Sequence, residues 1–415
     1  MTSELCKEIE KQLVPLPTDK IAVAVSGGSD SLALLYLLHE VARHNVVDLY
    51  AVTVDHGLRS EAREEARQVE AICVDLAVPH DTLLWREWDG KGNTQNAARN
   101  ARYTLIADWA RAKGIETVVL GHTQDDQAET FIMRLARASG VDGLSAMPMR
   151  RQHAGVTWLR PLLNVRRAAL QSYLRDKGVQ WVDDPSNEDP RFERVRVRDQ
   201  MDAFAKLGLT AEVLAQVAQN LAQARNALTH QARIAALDLV SEHAGALRIH
   251  WQGLQALPAE IRRRLLIASF NWLGGSFYPP RRAALEAVWD ALNDKGTATL
   301  QGCILRRKQE NLWLCRELNA VRHLQVTTGE LWDGRWRVSG PEGDDGFIVS
   351  ALGEEGLLLC PDWREAGLPR EVFLSTPAVW KGPDLVASPL VKPDQAWQAV
   401  LARGEAEYFD AVISH

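Results

Sequence analysis

Apolar and polar positions along the first half of the chain follow two alternating rhythms. Short runs rich in β-branched residues at 21–25, 46–54, 81–85 and 116–120 predict strands. Between them, residues 31–43, 60–76 and 94–113 predict helices, the last two with apolar side chains three and four apart. This alternation is the signature of a parallel sheet with crossover helices. The simplest such fold is a right-handed doubly wound α/β sheet with its ligand site beyond the carboxyl ends of the strands.

The pattern breaks at 182–190, where Asp, Pro, Ser and Asn accumulate. Beyond it, residues 210–236, 259–273 and 280–292 predict helices, and 297–308 with 312–315 predict a hairpin around Gln309-Glu310-Asn311. Residues 336–389 return to short strands punctuated by Gly and Pro. The expected division is an α/β nucleotide-binding domain at 1–205, a mainly helical domain at 206–320 and a small β-rich domain at 321–415. A length of 415 residues agrees with two or three domains at roughly 150 residues each.

Composition narrows the class. With 46% hydrophobic and 25% charged residues, and no apolar run of the roughly 18 residues a membrane span needs, no membrane association is expected. The first residues lack a basic segment followed by an apolar one, so the expected location is the cytoplasm. Five scattered cysteines, with no C-x-x-C pair, predict neither a disulfide framework nor a zinc or iron-sulfur site. A net charge of -6 argues against general nucleic-acid binding. Local basic runs at 191–198, 262–264, 281–282 and 306–308 are the places where RNA could still be gripped.

Three segments carry candidate chemistry. The strand at 21–25 runs into Ser26-Gly27-Gly28-Ser29-Asp30-Ser31 and then a helix. Two glycines permit a tight turn and close approach of backbone N–H groups to an anion, and the helix N-terminus adds partial positive charge. The segment is neither a Walker A loop nor a G-x-G-x-x-G fingerprint. At the end of the second strand lies Val54-Asp55-His56-Gly57-Leu58-Arg59, where an adenine could lie against the backbone of Val54 and His56. The third is Gly121-His122-Thr123-Gln124-Asp125-Asp126-Gln127-Ala128-Glu129-Thr130, a strand leaving into a helix. Asp126 and Glu129 are three apart on that helix and could hold Mg²⁺ or an ammonium group. Thr123 to Asp126 is also a capping-box pattern.

The hexad resembles the S-G-G-x-D-S motif of the PP-loop pyrophosphatases, which cleave ATP between its α- and β-phosphates. Together the three segments resemble one PP-loop family, the tRNA(Ile)-lysidine synthetases. The resemblance extends to Asn96-Ala97-Ala98-Arg99-Asn100-Ala101-Arg102-Tyr103, Arg160-Pro161-Leu162-Leu163, residues 181–187 and the arginine run ending at Arg198, about residues 20 to 200 in all. Thr123 stands where the family often has a second histidine, and Arg194-Val195 where it often has Arg-Asn.

The resemblance implies an ATP-dependent ligase that joins L-lysine to C2 of the wobble cytidine of tRNA(Ile) with anticodon CAU, through an adenylated cytidine. It assigns Ser26, Gly27, Gly28, Ser29, Asp30 and Ser31 to pyrophosphate, with Val54 and His56 beside the nucleotide. Asp30 and Asp126 become the Mg²⁺ contacts, Arg99, Arg102, Asp126 and Glu129 the lysine contacts, and Asp30, Asp126, Glu129, Arg194 and Arg196 the catalytic groups, with Arg198 a further candidate. Another PP-loop tRNA-modifying enzyme, such as a thiolase, and a non-catalytic RNA-binding relative are the alternatives. No motif indicates a protein partner, self-association apart.

Overall fold

The computed structural model describes residues 2–13, 19–57, 62–85, 94–182, 189–275, 279–341, 346–393 and 396–412. Contacts divide the chain into two compact units, Met1–Arg225 and Asn226–His415.

The first unit begins with helix α1 (Thr2–Leu13), strand β1 (Lys20–Ala24), helix α2 (Ser29–Asn45) and strand β2 (Asp48–Asp55). It continues through α3 (Ala62–Asp75), β3 (His80–Leu84), α4 (Thr94–Ala112), β4 (Thr117–Leu120) and α5 (Gln124–Leu135). A short helix, α6 (Val141–Leu144), precedes the strands β5 (Arg150–His153) and β6 (Val156–Leu159). Helices α7 (Arg167–Asp176), α8 (Glu193–Asp199) and α9 (Met201–Lys206) follow, and α10 (Ala211–Leu239) contains the division between the two units.

The sheet order is β3-β2-β1-β4-β6-β5, parallel throughout except at β5, which pairs antiparallel with β6. Successive residues of β1 and of the residue that follows it point to opposite faces. Ile21, Val23 and Val25 join a core with α1, α2 and α7, whereas Ala22 packs with α4 residues Tyr103, Ile106 and Ala107. Both faces are covered, so the strands read as continuous apolar runs. Each fully buried Val or Leu there contributes about 1.5–3 kcal/mol of transfer free energy.

The predicted strands and helices recur within a few residues of their expected ends. One boundary differs for a visible reason: Val46, expected in β2, is the left-handed C-cap of α2 at φ 53, and the N–H of Val47 closes on the carbonyl of Ala42. The β5–β6 hairpin was not expected, because its four-residue arms carry little periodicity.

In the second unit, α12 (Ala259–Gly274) and α13 (Arg282–Asp294) match expected helices, with α11 (Trp251–Ala256) preceding them. They pack on a five-stranded antiparallel sheet in the order β7-β8-β11-β10-β9. Its strands are β7 (Val240–His243), β8 (Ala246–His250), β9 (Thr297–Leu300), β10 (Cys303–Lys308) and β11 (Asn311–Arg316). This segment is thus sheet as well as helix, and the expected hairpin is its β10–β11 pair. Two smaller antiparallel sheets of four and three strands follow. The helix Glu405–Ala411 returns to the core of α12, where the buried Tyr408 hydroxyl lies 3.1 Å from Ser269. No described helix is long and apolar enough to cross a membrane.

Candidate active site

β1 lies between β2 and β4, so the chain leaves β1 and β4 side by side where the strand order reverses, and a crevice opens at their carboxyl ends. The turn after β1 is the sequence-identified hexad. Gly27 takes φ +82, a conformation that favours glycine, and Gly28 is the N-cap of α2 with no side-chain cap of its own. Ser31 shapes the turn from within: its Oγ accepts from the Ser26 N–H at 3.1 Å and donates to the Gly28 carbonyl at 3.0 Å. The N-terminal N–H groups of a 17-residue helix thereby face the crevice.

The turn after β4 presses against this loop. A Cβ on Gly121 would stand 3.0 Å from the Asp30 carbonyl oxygen and 3.1 Å from the Ser31 Cα, so only glycine fits without moving backbone. Thr123, fully buried, caps α5 in a capping box with Asp126. Asp126 Oδ2 accepts from the Thr123 N–H at 2.8 Å and from its hydroxyl at 2.9 Å. Oδ1 of the same carboxylate faces the crevice. One oxygen of this carboxylate thus caps the helix, and the other meets Arg167.

Arg167, which no sequence motif singled out, occupies the centre. Its Nε donates to Asp30 Oδ2 at 2.8 Å, Nη2 donates to Asp126 Oδ1 at 3.2 Å, and Nη1 lies 3.7 Å from Glu129 Oε1. Glu129 is 1% exposed and also meets Arg198 Nε at 2.8 Å and Arg194 Nε at 3.5 Å, while its Oε2 accepts no hydrogen bond. Arg194 donates to Thr130 at 3.3 Å and lies 3.7 Å from Asp126. Three carboxylates therefore face three guanidinium groups. Burial pushes the Asp30 and Asp126 carboxyls up. At Asp30 that effect wins despite Arg167, whereas at Asp126 the charges of Arg167 and Arg194 overcome it and hold the carboxyl below its usual range.

Asp125 has a different role from its neighbour. Its carboxylate accepts from the backbone N–H of Arg167 at 2.7 Å and from Arg166 Nε at 3.2 Å, pinning the start of α7. Two arginines opening a helix oppose the helix dipole, and that anomaly was the available signal for Arg167. Arg196 points elsewhere and donates to the carbonyls of Pro190 and Arg191 at 2.9 and 3.0 Å.

On the β2 side, Asp55 is buried and accepts from the Gly57 N–H at 2.8 Å, while Val54 is half-buried at the strand end. His56 Nε2 lies 3.0 Å from Arg102 Nη2, which can only donate, so this nitrogen carries the lone pair. Burial first, and the charge of Arg102 second, lower the imidazole pKa to about 4, so it stays neutral. Arg99 instead lies over the Tyr103 ring and donates to its hydroxyl at 3.4 Å. Arg160 of the Arg160-Pro161-Leu162-Leu163 motif is buried and donates to that same hydroxyl at 3.2 Å, so this motif supports α4 and does not enter the crevice. Leu58, Arg59 and residues 183–187 lie outside the described residues, as does the side chain of Asn96.

Asp30 and Asp126, on two different helices, both accept from the guanidinium of Arg167. That arrangement suits a divalent ion held by one or two carboxylates plus phosphate oxygens. No group of three or more His, Cys, Asp or Glu placed to hold a metal occurs among the described residues.

Residues 1–203 match the PP-loop domain family, and the site is that of a PP-loop ATP enzyme. A tRNA(Ile)-lysidine synthase of Ruegeria pomeroyi is 45% identical over 99% of this chain and 98% of its own length. One of Wolbachia pipientis wMel is 34% identical over 89% of this chain and 88% of its own. The chain belongs to the tRNA(Ile)-lysidine synthase family. Among solved structures, a U34-tRNA thiolase from Methanococcus maripaludis aligns with TM-score 0.45 and 18% identity over 53% of this chain and 78% of its own.

Proposed function

We propose that this enzyme ligates L-lysine to C2 of the wobble cytidine of a tRNA(Ile) with anticodon CAU, by way of an adenylated cytidine. The carrying observation is the convergence of Asp30, Asp126 and Glu129 beside the Gly27–Ser31 cradle, in a chain of this family.

The reaction balances in two steps. The cytosine O2 attacks the α-phosphate of ATP and pyrophosphate leaves. The lysine ε-amine then attacks C2, AMP leaves with O2, and the amine surrenders a proton. Neither step succeeds on an unactivated carbonyl, so the enzyme must hold pyrophosphate, position the amine and keep both in line.

The N–H groups of Gly28 and Ser29 at the start of α2, with the hydroxyl of Ser29, receive pyrophosphate. Ser26 and Ser31 keep the turn in shape. Mg²⁺ held by Asp30 and Asp126 would neutralise charge on the phosphates. Asp126 and Glu129 draw in the lysine ammonium, with Arg102 or Arg99 at its carboxylate. Arg194 and Arg198, placed by α8 against Glu129, supply fixed positive charge as the adenylate breaks down. Arg196 has no comparable placement.

Sulfur transfer would need a reactive thiol, and the first unit has two cysteines. Burial, and for Cys6 also the hydrogen bond to Glu40, push both Cys6 and Cys73 up to about 12. Thiols held that far above neutrality are poor nucleophiles.

The basic clusters of the second unit are the proposed tRNA grip, under the functional division 206–320 and 321–415. Labelled lysine is expected to enter tRNA only with ATP. Asp126→Asn keeps a capping oxygen but loses the charge, and should slow incorporation about 10²-fold or more. Incorporation at the wild-type rate would remove Asp126 from the mechanism.

A further inference from the structure

Arg167 poses a problem for the function just described. Its guanidinium already holds the oxygens that Mg²⁺ and the lysine ammonium need: Asp30 Oδ2 at 2.8 Å, Asp126 Oδ1 at 3.2 Å and Glu129 Oε1 at 3.7 Å. It cannot vacate them by losing its proton, since a guanidinium stays charged in proteins. Nor can it drift away with its helix, because Asp125 fixes the first turn of α7 through the Arg167 N–H at 2.7 Å and through Arg166. Only the side chain can move.

We propose that Arg167 is an internal cation which holds the amine- and metal-binding carboxylates until Mg-ATP arrives, then exchanges onto the triphosphate, so that nucleotide binds before lysine. This rests on the lysine-ligating function above. Asp30 is the second residue of α2, whose N-terminus forms the phosphate cradle, so the guanidinium already stands beside the phosphate position. Mg-ATP brings both things the exchange requires. Its cation replaces the guanidinium at Asp30 and Asp126, and its phosphate oxygens offer the planar fork new bidentate acceptors. Lysine arriving alone brings to that point only an ammonium of like charge, which must compete for carboxylates already neutralised. Nucleotide and lysine are therefore coupled through one side chain, and the coupling must be reciprocal.

The test uses the full-length protein and isothermal titration with L-lysine, alone and with Mg²⁺ plus an α,β-methylene ATP analogue. Wild type should bind lysine about tenfold or more tightly with the analogue, and saturating lysine should tighten the analogue by the same factor. In Arg167→Ala and Arg167→Gln the factor should fall below about threefold, with lysine gaining affinity for the free protein, while Arg167→Lys should retain part of the coupling. A second probe, Mn²⁺ followed by electron paramagnetic resonance without nucleotide, should bind weakly to wild type and measurably more tightly to the variants. Equal lysine affinity with and without the analogue in wild type would overturn the proposal, as would an undiminished factor in folded variants. The wild-type comparison decides even if a variant fails to fold. If wild type takes up lysine in neither state while Mn²⁺ behaves as expected, the lysine function fails and the exchange of Arg167 stands.

Discussion

At the scale of single residues, the site assigns different work to side chains that look equivalent in sequence. Asp125 and Asp126 are adjacent, yet one pins α7 and the other shares its two oxygens between the cap of α5 and the crevice. Thr123 is what aims Asp126. It stands where the family often carries histidine, and being fully buried it acts here as a cap. Thr123→Val keeps the shape while removing the hydroxyl that bonds Asp126 Oδ2. Denaturant unfolding should show a loss of about 1 kcal/mol. Lysine incorporation should fall with it, since Asp126 Oδ2 would keep only the backbone N–H at position 123 and the carboxylate would be less firmly aimed. Unchanged activity alongside the stability loss would mean that the cap does not orient the carboxylate. Arg167 and Arg196 show the limit of reading residue types: both are arginines near the motifs, and only the first meets the acidic cluster.

At the scale of elements, the site is two strand-to-helix turns brought side by side by the strand order. β1 pairs with β4, which sets Gly121 against the backbone of Asp30 and Ser31. Gly121→Ala would drive a Cβ to 3.0 Å from a carbonyl oxygen held at the start of a buried helix, and neither neighbour can yield cheaply. The expected cost is about 1–3 kcal/mol in urea melts, with nucleotide affinity falling further than the stability loss accounts for. Full nucleotide affinity in the folded variant would show that the two turns are independent. Helix α8 contributes in the same cooperative way. Its arginines have no mutual attraction and are held over α5 by Glu129, so the element that brings positive charge is itself placed by the acidic residue it serves.

At the scale of the whole molecule, an acidic chain is proposed to act on an RNA, and the second unit shows how its basic runs are used. Arg263 and Arg264 are paired with Glu260, and Arg306 with Glu371. Arg262 lies 3.7 Å over Trp289, Trp289 stacks on Trp251 at 5.3 Å, and Arg307 covers Trp251 at 5.4 Å. Arg307 and Lys308 are exposed on β10. Deleting residues 321–415 would be a poor test of RNA binding, since it strips Tyr408 from the core around Ser269. Arg307→Gln with Lys308→Gln should instead weaken tRNA binding, lower its salt slope by about 2 and leave nucleotide affinity intact. An unchanged slope would place the RNA elsewhere. The sequence by itself determined the sheet class, the glycine turn after β1 and the acidic helix, because strand runs, glycine turns and helix spacing are local properties written in consecutive residues. Tertiary structure alone decided that Arg167 belongs with Asp30, 137 positions away, and that Arg160 supports Tyr103 from behind the crevice. Those contacts depend on which strand lies beside which and where each helix lands, and no local pattern encodes them. The glycine turn was legible; the arginine among the carboxylates beside it was not.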